Sequence, residues 1–184
     1  MRLVILDRDG VINEDSDAYI KSPDEWIPIP GSLEAIARLN RADYRVVVAT
    51  NQSGLARGLF DADMLSRIHE KMHRALADVG GVIDAVFFCP HGPDEDCDCR
   101  KPKAGLLQDI ARRLNVSLRD VPAIGDSLRD LQAARSVGAQ PILVLTGKGA
   151  QTQQCLRAEG FGTTPVFADL AAGVDALLAE QAGA

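Results

Sequence analysis

Leu3-Val4-Ile5-Leu6-Asp7-Arg8-Asp9-Gly10 carries four apolar residues followed at once by two acids and a glycine. A short apolar run closed by turn residues reads as a buried strand whose last side chains emerge at the end of a sheet. The pattern recurs at Val46 to Ala49, Val82 to Phe88, Val121 to Ile124 and Ile142 to Leu145, and more weakly at Pro165 to Phe167. Helical periodicity fills the intervals at 31–42, 61–79, 104–114, 127–137, 150–159 and 169–180, with Gly80-Gly81, Gly138 and Gly160 as stop signals. Strands alternating with helices predict an α/β fold with a mainly parallel sheet. The irregular stretches 10–30 and 89–103 are expected to be functional loops.

The 184 residues fit one domain, 1–184, large enough to bury its own core. Hydrophobic residues make up 46% and the mean hydropathy is -0.03, with no run near the roughly 18 apolar residues a membrane helix requires. A soluble chain with no membrane partner is expected. The apolar run after Met1-Arg2 is too short for a signal peptide, so the expected location is cytoplasmic. A net charge of -6 argues against a nucleic-acid partner, which would show clustered Lys and Arg. A small anionic substrate stays compatible, because a divalent cation and a few basic groups reverse the field locally. We expect a monomer.

Ligands of parallel sheets collect beyond the carboxyl ends of the strands. Those ends carry Asp7, Thr50-Asn51, Cys89 and Gly125-Asp126. Asp7 and Asp9 leave the first strand two residues apart and reach one space, where Mg²⁺ with its preference for oxygen ligands would relieve their repulsion. An ionised Asp7 can attack phosphorus to give an aspartyl-phosphate, with Asp9 protonating the leaving oxygen and then activating water. Thr50 and the backbone N–H groups of Asn51 and Gln52 would hold phosphoryl oxygens, Lys101 would bring positive charge, and Asp126 would complete the metal site with Asp130 orienting it. Each residue also has a plainer reading: a solvated Asx turn at Asp7 to Gly10, helix caps at Thr50 and Asp126, a surface lysine at 101. The joint order on successive strand ends favours the phosphoryl-transfer reading.

Cys89-Pro90-His91 and Cys97-Asp98-Cys99 supply three thiolates and an imidazole around a polar loop, a complete set for structural zinc at 89–99. Free thiols or a Cys97–Cys99 disulfide are the alternatives, the latter awkward at that spacing. Cys155 stands apart and reads as a buried small hydrophobe. His69-Glu70-Lys71-Met72-His73 matches the H-E-x-x-H pattern of zinc proteases. The core stripe of that helix runs through Leu65, Ile68, Met72, Leu76 and Val79, so we read His69 and His73 as helix-surface residues and the protease as a remote alternative.

The order of acids after the first strand, Thr after the second, Lys further on and Gly125-Asp126-Ser127-Leu128-Arg129-Asp130 near the last core strands resembles the haloacid dehalogenase superfamily, over nearly the whole chain. That resemblance implies a Rossmann-like three-layer sandwich, with Asp7 as nucleophile, Asp9 as acid and base, Thr50 and Lys101 on the phosphoryl group, and Mg²⁺ on Asp7, the Asp9 carbonyl and Asp126. Val11 departs from the Thr of many relatives. The second carboxylate favours a phosphatase over a dehalogenase. The zinc loop running into Arg100-Lys101-Pro102 is similar to that of a narrower branch acting on bisphosphorylated sugars and on histidinol phosphate; a phosphorylated sugar is the expected substrate. Resemblance to the branch implies substrate contacts at Asp15, Tyr19, Thr50, Asn51, Gln52, Ser53, Arg100 and Lys101. Ser127 stands where some members carry Lys. The short insertions predict no large cap domain, leaving selectivity to the 13–22 and 89–99 loops.

Overall fold

The computed structural model describes residues 2–182 and shows a six-stranded sheet in the order β3-β2-β1-β4-β5-β6. The strands are β1 (Arg2–Leu6), β2 (Tyr44–Asn51), β3 (Ala85–Cys89), β4 (Pro122–Gly125), β5 (Gln140–Val144) and β6 (Val166–Phe167). Every pairing is parallel. The connecting helices are α1 (Ser32–Arg41), α2 (Ala62–Asp78), α3 (Gly105–Leu114), α4 (Leu128–Ser136), α5 (Gly149–Cys155) and α6 (Leu170–Ala182).

Alternation along a strand sends successive side chains to opposite faces. Val4 and Leu6 of β1, with Val46 and Val48 of β2, pack under Ile36 and Leu39 of α1 and Ile68, Met72 and Leu76 of α2. Leu3, Ile5, Val47 and Ala49 face the other way, onto Leu107 and Ile110 of α3 and Ala133 and Ala134 of α4. Both faces are therefore covered and β1 is apolar throughout its interior, the condition for an internal parallel strand. The α/β expectation and the three-layer arrangement hold.

The third strand begins at Ala85, not Val82. Val82 is exposed and Ile83 packs into the core from the approach to the sheet, while Asp84 makes the first contacts: its N–H donates to Val46 O at 2.8 Å and its carboxylate accepts from Val46 N–H at 2.9 Å. An apolar run fixes which residues are buried, but an edge strand starts only where its partner offers free ladder groups. The fifth helix ends at Cys155 instead of 159, and Cys155 is only half-buried, its thiol donating to Thr152 O at 3.1 Å. No helix among the described residues is long and apolar enough to cross a membrane.

Candidate active site

The β1 turn brings Asp7 to the middle of the sheet, where its N–H donates to Ile124 O of β4 at 2.9 Å. Gly10, in the left-handed region at φ 81°, closes the turn. A Cβ there would lie 2.1 Å from Asp126 Oδ2, and one on Gly147, at φ 56°, would lie 2.1 Å from the same oxygen. Two glycines thus make room for the Asp126 carboxylate, which accepts from Lys148 N–H at 2.7 Å. The Thr146 hydroxyl fastens the two turns by donating to Gly10 O at 2.6 Å.

Carboxylate oxygens of Asp7, Asp126 and Asp130 lie within 4.8 Å of one another. Burial, reinforced by Asp130, pushes Asp126 up to about 7, and burial also raises Asp7 well above the carboxylate range against the opposing charge of Lys101. Three crowded, desolvated acids with hard oxygen donors are the environment that a small divalent cation stabilises. Asp130 differs from its neighbours. Burial would raise it, but the Lys101 charge and hydrogen bonds from Ser127 outweigh that and hold it low. It accepts from the N–H of Ser127 at 3.0 Å and from its hydroxyl at 2.5 Å.

Lys101, almost fully buried, reaches back across the rim: Nζ donates to Ala49 O at 2.7 Å and stands 3.1 Å from Asp7 Oδ1 and 2.5 Å from Asp130 Oδ1. Its backbone is gripped by Asn51, whose Nδ2 donates to Lys101 O at 3.0 Å and whose Oδ1 accepts from Lys101 N–H at 3.1 Å. The Asn51 side chain therefore serves to place the lysine. Gln52 also differs from expectation: its N–H is committed to Cys89 O at 2.8 Å, as the chain leaves β2 still paired to β3. What Gln52 offers instead is Nε2, donating to Asp9 Oδ2 at 2.9 Å and to Thr50 Oγ1 at 3.0 Å.

Asp9 sits in a basket of donors. Arg8 Nη2 reaches both of its oxygens at 2.8 and 3.1 Å, Arg8 Nε donates at 3.0 Å, and Asn13 Nδ2 donates at 2.9 Å. Burial opposes ionisation, but the Arg8 charge and these hydrogen bonds prevail and hold the carboxyl below its usual range.

Asp7, Asp9, Asp126, Asp130, Lys101 and Thr50 to Gln52 line a cleft of about 400 Å³, together with Asp15, Tyr19, Ser53 and Arg100. All the residues expected on the substrate border it. Asp15 is tied to Lys148 Nζ at 3.2 Å, Arg100 Nη1 donates to His91 O at 3.2 Å, and the Arg57 guanidinium lies over the Tyr19 ring at 5.8 Å. Arg57, Arg129 and Lys148 add positive charge to the wall and were absent from the sequence-based set. Lys148 could have been found, since Thr146-Gly147-Lys148 follows β5 at the same rim as the other strand ends.

The loop after β3 gathers the four residues expected to bind zinc. Cys89 Sγ lies 3.1 Å from Cys99 Sγ and 3.8 Å from Cys97 Sγ, and His91 Nδ1 lies 3.6 Å from Cys89 Sγ and 3.3 Å from Cys99 Sγ. Tetrahedral zinc with bonds of about 2.3 Å spaces its sulfurs about 3.8 Å apart, so the cluster fits that ion after slight expansion. The histidines of α2 form no such cluster among the described residues. His73 is exposed as expected, but His69 is not a surface residue: it is half-buried, with Nε2 3.1 Å from Arg8 Nη1. It follows Ile68 of the core stripe, and the buried Arg8 fills the space beside it.

A family model described as polynucleotide kinase 3 phosphatase matches residues 3–127, and one described as HAD-hydrolase-like matches residues 98–173. The chain is 64% identical to D-glycero-beta-D-manno-heptose-1,7-bisphosphate 7-phosphatase of Bordetella bronchiseptica, over 98% of this chain and 99% of that protein. It is 54% identical to the protein of the same name from Pseudomonas aeruginosa, over 96% and 97%. Among solved structures, D,D-heptose 1,7-bisphosphate phosphatase from B. bronchiseptica complexed with magnesium and phosphate superposes with a TM-score of 0.93 at 63% identity, covering 98% of this chain and 99% of that one.

Proposed function

The chain belongs to the haloacid dehalogenase superfamily of phosphatases, and on that premise we propose that it removes the 7-phosphate of D-glycero-β-D-manno-heptose 1,7-bisphosphate through an aspartyl-phosphate on Asp7. The observation that carries the mechanism is Asp7 itself, at the cleft floor between the Lys101 ammonium and the carboxylates of Asp126 and Asp130. Histidinol phosphate is the disfavoured alternative, because relatives matching nearly the full length of both chains carry the heptose name.

Asp7, Asp126 and the Asp9 carbonyl are the groups we assign to Mg²⁺, which when bound neutralises the acid cluster and polarises the phosphoryl oxygens. Asp7 attacks the 7-phosphoryl group while Lys101 and Thr50 take up charge on its equatorial oxygens. Asp9, once it has taken up a proton from solvent, gives it to the sugar oxygen as that bond breaks, and afterwards takes one from the water that cleaves the acyl-phosphate. Its resting carboxylate suits the second role directly; the first requires that the negative charge of the arriving phosphate favour the protonated form while Arg8 keeps the carboxyl in place. The basic wall of Arg57, Arg100, Arg129 and Lys148 faces the distal phosphate and the hydroxyls.

Zinc on Cys89, His91, Cys97 and Cys99 is part of the proposal. Burial pushes the Cys89 thiol up to about 12, so a cation is what would hold it as a thiolate ligand. The loop then presents Arg100 and Lys101 as a fixed pair. The cleft is built within one chain, which supports action as a monomer. Asp7→Asn is the decisive test: turnover must vanish while the Mg²⁺-loaded protein stays folded, and retained activity would remove the nucleophile. A parallel assay of heptose bisphosphate and histidinol phosphate, compared by kcat/KM, tests the substrate.

A further inference from the structure

The protease-like stretch on α2 has a use in this fold that its pattern does not suggest. Arg8, the residue between the two catalytic acids, is fully buried. The edge formed by Nε and Nη2 faces Asp9, and the remaining Nη1 meets His69 Nε2 at 3.1 Å. A guanidinium has donors only, so Nε2 must be the acceptor and His69 is the neutral tautomer protonated on Nδ1. We propose that His69 is a positioning residue for Asp9: by accepting from Arg8 Nη1 it fixes the guanidinium whose Nε and Nη2 together hold the acid/base carboxylate. The inference rests on the reading of Asp9 as acid and base.

The physical need is clear from Arg8. Asn13 and Gln52 also hold Asp9, but the far end of the guanidinium, Nη1, is bonded to His69, and without that bond the grip of Nε and Nη2 on the carboxylate has no support from behind. His69 supplies that support. It sits on a helix anchored in the core by Ile68 and Met72, and pinned again by Lys71, whose Nζ donates to Pro23 O at 2.6 Å and to Trp26 O at 2.9 Å. The imidazole is steadied from the side by the Phe88 ring at 6.5 Å. Burial, with the charges of Arg8 and His73, lowers its pKa to about 4, which keeps the acceptor lone pair free at neutral pH.

The test uses a leaving-group comparison. In the phosphorylation step, a sugar alkoxide needs the Asp9 proton, whereas a nitrophenolate leaves without one. His69→Met fills the space without an acceptor, and its kcat/KM for the sugar bisphosphate should fall about tenfold while that for nitrophenyl phosphate changes less than about twofold. His69→Gln, which can accept from Arg8 through Oε1, should restore most of the loss. Equal losses on both substrates, or no loss on the sugar, would overturn the proposal, as would failure of Gln to rescue. In the unmutated enzyme, nitrogen-15 spectra should show His69 Nε2 unprotonated at neutral pH; a protonated Nε2 sinks the idea even where a variant does not fold. Asp9→Asn is run beside them. Wild-type rates there would fail the acid/base reading itself, whereas a crippled Asp9→Asn with an intact His69→Met fails only the role given to His69.

Discussion

Lys101 and Asp7 form a buried ion pair with Nζ 3.1 Å from Oδ1, and the same ammonium is shared with Asp130 and the Ala49 carbonyl. Three donors thus meet three acceptors at the edge of the cleft, a match to the compact ammonium that a planar guanidinium cannot reproduce. Lys101→Met should lower kcat about 10²- to 10³-fold, the scale of losing one electrostatic stabiliser of the transferring group. Lys101→Arg should recover little of it. Steady-state kinetics at saturating Mg²⁺ checks both, and an active Arg variant would show that charge alone, not fit, is what the site uses.

Gly147 tests the seat of Asp126. A Cβ at this position would lie 2.1 Å from Asp126 Oδ2 and 2.6 Å from Gly10 Cα, so Gly147→Ala must displace the carboxylate or part the two turns. We expect apparent Mg²⁺ affinity to fall at least about tenfold, as when the support of a metal ligand is disturbed. Gly80→Ala is the control. Its φ of 74° is equally left-handed but the space around it is open, so it should cost about 1 kcal/mol of stability and leave the Mg²⁺ titration unchanged.

The contrast between those glycines reflects what the sequence makes legible. Asp7, Thr50 and Asp126 could be read because each ends an apolar run, and strand ends in parallel sheets share one rim. Lys101 was legible only through its neighbours, since it arrives from a loop whose path is set by Asn51 and the cysteine cluster. The Arg8–His69 contact spans 61 residues and leaves no periodic trace; a helix pattern gives a face but not what another segment has buried beside it. Gly147 was missed for a different reason. Thr146 to Gly149 lacks apolar residues and acids, the two signals used, although it sits at the end of β5 like the others.

Removing the zinc we propose should act on geometry before chemistry. The loop joins β3 to α3 through Arg100 and Lys101, and Gly105 N–H closes it onto Asp98 O at 2.9 Å. Cys99→Ala should abolish the zinc content we propose for this loop, read by elemental analysis, and expose the 92–100 segment to limited proteolysis. KM should rise by about tenfold or more, because the loop then spends its binding energy on ordering Arg100 and Lys101. A variant that loses zinc yet resists protease and keeps its KM would show the loop to be ordered by its own hydrogen bonds.

The buried imidazole of His69 makes stability depend on acid in a defined window. The unfolded chain protonates this residue near 6.5, while in the fold burial and the Arg8 and His73 charges, only partly offset by Asp9, hold it neutral down to about 4. Phe88, packed on it from β3, adds no charge. Between those two values the unfolded state binds the extra proton, so the contribution of His69 is whole above 6.5, declines as the pH falls, and is lost by about 4. Other groups titrate in the same range, which makes the difference between two proteins the informative quantity. His69→Gln cannot take up the proton. Urea melts of both at about pH 7 and about pH 5 should therefore show the stability gap moving in favour of the Gln variant at the lower pH. A gap independent of pH would mean that the imidazole titrates alike in both states, and that the fold does not hold it neutral against Arg8.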